Sequence, residues 1–141
     1  MEEIKLKQSL GHLFHIINLN MRKKLEKDIK DFGFTSSHQF GVLLLLSKKS
    51  LSQKEISDLT LADEPSTTRM LDRMIKKEII DKKKSSEDKR KQVVNITDKG
   101  SELLNNILPI VGKHNKNVED LISENELKQL YHILNKIKSK M

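Results

Sequence analysis

A chain of 141 residues suits one small domain with extensions at its ends, and an apolar share of 35 % fits an elongated helical protein better than a compact monomer. The formal net charge of +7 favours acidic partners, chiefly nucleic acid or an anionic membrane surface. Cysteine is absent, which excludes disulfides, thiolate metal sites and a cysteine redox switch.

No apolar run approaches the roughly 18 residues that read as a membrane span. Met1, Glu2 and Glu3 open the chain acidic, unlike a signal peptide, so a soluble cytoplasmic protein is expected. From Ile4 to Ile29 apolar residues recur at helical spacing: Leu6, Leu10, Leu13, Phe14, Ile17, Met21, Leu25 and Ile29. A continuous helix there would be roughly 40 Å long, more than so small a domain can cover, which predicts an extension reaching a partner subunit. Asp31, Phe32 and Gly33 end it.

Four shorter elements follow. Ser36 with Gln39 has the spacing of a capping box, opening a helix through Phe40, Val42, Leu43 and Leu46. Ser52 with Glu55 is a second box, opening a helix over Gln53 to Leu59. Asp63 is an N-cap and Pro65 stands in the first turn of a third helix, Glu64 to Lys77, whose buried stripe is Thr67, Met70, Leu71 and Met74. Ile79–Lys84 and Lys91–Ile96 then read as two strands around the polar turn 85–90, a hairpin too small to stand without the helices. Thr97 caps a helix carrying Leu103, Leu104, Ile107, Leu108 and Val111, with a kink expected at Pro109. Ser123 with Glu126 is another capping box, before a last stripe of Leu127, Leu130, Leu134 and Ile137. No internal repeat or low-complexity linker interrupts the order.

Three short helices followed by a basic hairpin is the order of a winged helix-turn-helix, in which the third helix enters the major groove and the hairpin reaches the backbone or minor groove. Charge agrees. Between Pro65 and Lys91 there are ten Lys or Arg against five Asp or Glu, most of the excess of the whole chain. Lysine outnumbers arginine 23 to 4, yet Arg69, Arg73 and Arg90 all fall in this fifth of the chain. Arginine's planar fork matches guanine edges and phosphates bidentately, as lysine cannot. Pro65, Ser66, Thr68, Arg69 and Arg73 project away from the buried stripe, where Ser and Thr near a helix N-terminus suit phosphates or base edges. The plain alternative, the polar face of an amphipathic helix, loses weight once the basic hairpin stands at the expected distance.

The stretch from Ser37 to Gly100 resembles the MarR family of bacterial regulators. The resemblance is carried by Gln39-Phe40 with Leu43–Leu45, SQKEISDLT from Ser52, PSTTRMLDRMIKK from Pro65 and EDKRKQVVNITDKG from Glu87, and most specifically by Asp88-Lys89-Arg90 with Thr97-Asp98-Lys99-Gly100. It implies a homodimer whose terminal helices interlock and two winged helices gripping palindromic double-stranded DNA. It also implies Arg90 at the wing tip near the minor groove, with Asp88 orienting it. Glu78 stands where members usually have glycine, so a turn built differently is expected there, and Thr67 replaces an apolar residue. Many members bind small aromatic or anionic effectors where the dimer helices meet the winged helix, a region that here would be lined by Phe14, Ile17, Met21 and Phe40.

The fold expected is therefore mainly α with a small β-hairpin wing: an N-terminal dimerisation helix (1–32), a winged helix-turn-helix (33–99) and C-terminal dimerisation helices (100–141). The expected function is a transcriptional repressor that occludes its operator. The DNA-contacting candidates are Ser37, Ser52, Gln53, Pro65, Ser66, Thr68, Arg69, Arg73, Lys76, Asp88, Lys89, Arg90 and Lys91. The terminal stripes carry more apolar surface than a winged helix covers, which argues for the dimer independently of the family. The five histidines (His12, His15, His38, His114, His132) read as ordinary surface or core, so no metal or cofactor is expected. No nucleophile motif, phosphate loop or paired carboxylate suggests an enzyme. The competing readings are a winged helix that binds protein and peripheral membrane binding. The second is disfavoured because the positive charge lies on the hairpin and a short helix.

Overall fold

The structure is a computed structural model that describes residues 8–34 and 36–141. Ile4 and Leu6, expected in the first turn of the N-terminal helix, lie outside the described residues. Helix α1 (Leu10–Ile29) starts at Ser9, whose hydroxyl accepts the His12 N–H at 3.2 Å. It ends in a 3-10 turn, Lys30–Phe32, and at Gly33, whose φ of +84° is the left-handed conformation glycine adopts freely. Of the twenty residues of α1 only Ile29 is buried.

Helix α2 (Ser37–Leu46) is apolar nearly all round and is buried accordingly, through Phe40, Val42, Leu43 and Leu46. The expected Ser36–Gln39 capping box does not form. Ser36 makes no side-chain cap bond and Gln39 is buried at 1 % exposure. Glu26 of α1 takes over the task. Its Oε1 accepts the Ser37 N–H at 3.0 Å and the Ser37 hydroxyl at 3.1 Å, while Arg22 pairs with it at 3.3 Å. A carboxylate from a packed neighbour is a stronger acceptor than a hydroxyl, so the local signal is overridden by a tertiary one.

Helices α3 (Gln53–Thr60) and α4 (Glu64–Lys76) follow, then strands β1 (Ile80–Lys84) and β2 (Gln92–Ile96), paired antiparallel with Ile80 opposite Ile96 and Lys84 opposite Gln92. Leu51 adds a third partner to the hairpin: its N–H and C=O both bond to Val94, at 3.2 and 2.7 Å. This bridge holds a wing that two strands alone would leave marginal. One core unites the elements, with Ile29, Leu43, Leu51, Ile56, Leu71, Met74, Ile80, Val94 and Ile107 all close to fully buried.

Helix α5 (Asp98–Glu119) begins where Thr97 accepts the Gly100 N–H at 3.0 Å and donates to the Glu78 carbonyl at 2.6 Å. A Cβ on Gly100 would lie 2.1 Å from the Ile79 carbonyl oxygen, so only glycine lets α5 seat on the base of the wing. The helix continues through Pro109 to Glu119 without a break. It packs along α1, and His114 meets Asp28 at 2.7 Å. Helix α6 (Glu124–Lys140) has its Ser123–Glu126 capping box formed but buries none of its residues. No helix among the described residues is long and apolar enough to cross a membrane.

Candidate nucleic-acid interface

The site is built from the turn between α3 and α4 outward. Ser52 accepts the Glu55 N–H at 3.1 Å and Glu55 accepts the Ser52 N–H at 3.2 Å, which fixes the start of α3. The chain reverses at Leu61, held at φ +54° and 94 % exposed, and then Asp63 caps α4. The Asp63 carboxylate accepts both the N–H and the hydroxyl of Ser66, each at 2.8 Å. The Ser66 N–H, then its hydroxyl, keep the Asp63 carboxyl below its ordinary pKa. On the inner face Thr67, Leu71 and Met74 are fully buried. The Thr67 hydroxyl donates to the Asp63 carbonyl at 2.9 Å, so the polar group that replaces an apolar one in this stripe is satisfied. On the outer face Arg69, Arg73 and Lys76 are exposed, with Ser66 and Thr68 half-buried beside them.

At its far end α4 closes with the Glu78 N–H on the Ile75 carbonyl (2.8 Å) and the Ile79 N–H on the Met74 carbonyl (3.2 Å), a Schellman pair with Ile79 buried against the core. Glu78 itself adopts φ +61°. The turn is thus the left-handed one that glycine favours, and the expectation of a different construction is corrected: Glu78 accepts the strain. The wing loop closes through Ser85 and Lys91, whose N–H and C=O bond at 2.8 Å. Ser85 Oγ accepts the Glu87 and Asp88 N–H groups at 3.2 and 3.4 Å, and Asp88 Oδ1 accepts the Arg90 N–H at 3.0 Å. Asp88 therefore orders the tip through the backbone of Arg90 and leaves the guanidinium exposed.

Helix, turn, helix and basic hairpin in this order form a winged helix-turn-helix, and comparison with known proteins agrees. The model of the MarR family matches residues 35–92. Curated relatives extend the match to nearly the whole chain. MhqR of Bacillus subtilis (strain 168), an HTH-type transcriptional regulator, is 29 % identical over 96 % of this chain and 91 % of its own. BilQ of Clostridioides difficile (strain CD3), also an HTH-type transcriptional regulator, is 26 % identical over 93 % of this chain and 88 % of its own. Residues 35–92 thus resemble the MarR family. The fold of the chain matches that of Staphylococcus aureus MepR, solved as a DNA complex, with a TM-score of 0.83 at 21 % identity, over 94 % of this chain and 98 % of MepR.

Within this winged helix-turn-helix the candidate residues divide into two groups. Arg69, Arg73, Lys76, Lys89, Arg90 and Lys91 are exposed on α4 and the wing, and Pro65 lies exposed in the first turn of α4. The others have partners inside the molecule. Ser37 is tied to Arg22 and Glu26, Ser52 serves the cap of α3, Ser66 serves the cap of α4, and Asp88 serves the wing loop. Gln53 and Thr68 bond to each other at 2.5 Å, and Lys82 donates to Gln53 at 3.1 Å. Lys82 was not among the candidates. A lysine within the run Lys82–Lys84 carries no mark of its own until the strand is folded beside α3. Of the residues named for an effector site, Ile17 and Met21 line a cleft of about 780 Å³ between α1 and α5, together with Leu25, Val111 and His114. Phe40 is not among its walls but in the core, and Phe14 lies outside it, half-exposed on α1.

Proposed function

We propose that this chain is a sequence-specific DNA-binding transcriptional regulator that acts as a homodimer, with residues 1–32 and 100–141 forming the dimer helices around the winged helix-turn-helix of 33–99. The observation that carries the reading is the pair of exposed, unpaired guanidinium groups of Arg73 on α4 and Arg90 on the wing, which the described residues leave without a side-chain partner. Fixed backbone presenting free arginine forks is what guanine edges and phosphates require. A protein of the same fold, MepR, is solved as a DNA complex. The dimer is supported by apolar residues with nothing over them in one subunit: Leu10, Leu13, Phe14 and Ile17 on α1, and Leu130, Ile133 and Ile137 on α6.

In the dimer one α4 enters each of two major-groove half-sites about one helical turn, roughly 34–36 Å, apart. Lysines and arginines on phosphates supply most of the affinity. Arg69 and Arg73 align on the bases, and Arg90 responds to groove width. Binding at a promoter represses by occlusion. An aromatic or anionic effector would enter between α1 and the winged helix and alter the spacing of the two reading heads. A panel of aromatic carboxylates that leaves operator affinity unchanged would remove that part of the reading.

The test of the whole is fluorescence anisotropy on the DNA upstream of the protein's own gene and on a scrambled duplex, across a salt series. A preference of about 10³-fold for the upstream DNA is expected, with a log–log salt slope that estimates the phosphates neutralised. Equal, weak binding to several upstream and genomic fragments would overturn it.

A further inference from the structure

Gln53 occupies the first turn of α3 and was a candidate for direct DNA contact, yet both ends of its amide are engaged within the molecule. Its Nε2 donates to Thr68 Oγ1 of α4 at 2.5 Å, and its Oε1 accepts from Lys82 Nζ of β1 at 3.1 Å. The chemistry leaves no other arrangement of these partners. A lysine ammonium can only donate, so the amide oxygen must face Lys82. The Thr68 hydroxyl proton is directed at the Glu64 carbonyl, 2.9 Å away, so Thr68 can offer Gln53 only a lone pair, which the NH₂ group fills. One uncharged side chain thus joins three elements, and the two outer ones are the helix and the strand that bear the exposed arginines and lysines.

We propose that Gln53 is a positioning residue that ties the recognition helix to the wing, setting the angle at which α4 and β1 meet DNA, and that it does not itself read bases. The inference rests on the reading of this face as the DNA-binding one. Only a residue with a donor and an acceptor on one short amide satisfies both partners. Glutamate would keep Lys82 but offer no N–H to Thr68, and methionine would fill the space and bond to neither.

Two measurements test it. The first is made without DNA: amide hydrogen exchange across residues 80–84 and 92–96 in Gln53→Met, Lys82→Met and the double variant. If the bridge holds the wing, each single variant exchanges there about fivefold faster and the double variant no faster than either. Wing exchange unchanged in Gln53→Met overturns the tether. The second is anisotropy of Gln53→Met on upstream and scrambled DNA. The expected result is about a tenfold loss of preference with the salt slope unchanged, spread over the base pairs of the half-site. A loss confined to one base pair would make Gln53 a base reader and overturn the positioning role. Absence of DNA preference in the parent protein would count against the DNA reading alone, because the exchange experiment decides the tether without it.

Discussion

Arg90 owes its place at the wing tip to a bond it makes with its backbone. Asp88 accepts the Arg90 N–H and Ser85 holds the amides of Glu87 and Asp88, so the loop is rigid where the guanidinium is free. Replacing Arg90 with alanine removes no internal side-chain contact and, on the proposed function, removes a DNA contact. Operator binding should weaken about tenfold in anisotropy while the urea midpoint stays that of the parent, and undiminished affinity would take the wing out of the interface. Glu78 is the reverse case, a residue whose side chain does little and whose backbone is strained. Its φ of +61° costs a non-glycine residue on the order of 1 kcal/mol, and its exposed contact with Lys99 at 3.8 Å contributes little in return. Glu78→Gly should therefore raise stability by about 0.5 kcal/mol after the extra freedom of the unfolded chain is counted, seen as a higher urea midpoint. A lower midpoint would show that the Lys99 contact outweighs the strain.

Among the elements, the joint between α1 and α2 depends on charge. The Ser37 N–H, above all, holds the Glu26 carboxyl below its ordinary value of 4.5; partial burial opposes this, and the Ser37 hydroxyl and Arg22 add to it. A carboxyl with a depressed folded pKa stabilises fully above its unfolded value and loses that contribution as pH falls through the folded one. Glu26→Gln should accordingly unfold at lower urea than the parent at neutral pH, and the gap should close as pH falls through the lowered folded pKa of Glu26. A gap that persists in acid would mean that packing, not charge, holds the joint. Helix α4 illustrates how far local rules reach. Its N-cap, first-turn proline and buried stripe were all legible, and its ends, like those of both strands, agree with expectation to within one residue. The α2 cap was not, because the competing acceptor comes from eleven residues earlier in the chain.

For the whole molecule the decisive feature is α6, a well-capped amphipathic helix with no fully buried residue in its own subunit. Leu130, 43 % exposed, lies in the middle of its stripe. Leu130→Glu should weaken self-association by roughly 30-fold, equivalent to about 2 kcal/mol of lost apolar burial, in sedimentation equilibrium, with operator affinity falling in step. Unchanged sedimentation would put the seam elsewhere.

The amino-acid sequence by itself determined the order of elements, the buried stripe of α4, four of the helix caps and the concentration of arginine on one fifth of the chain, because capping, periodicity and charge density act within a few residues. The resemblance to the MarR family was legible for the same reason, since SQKEISDLT and the Asp88–Gly100 stretch are local motifs. Tertiary structure alone decided which polar groups remain free for DNA. Ser37, Gln53, Thr68 and Lys82 find partners across 15 or more residues of chain, or through a chain of such contacts, and Gly100 is required only because a distant carbonyl passes over it. Hydrogen-bonding capacity is used up by whichever group folding brings near, and that is a property of the packed molecule rather than of any segment of it.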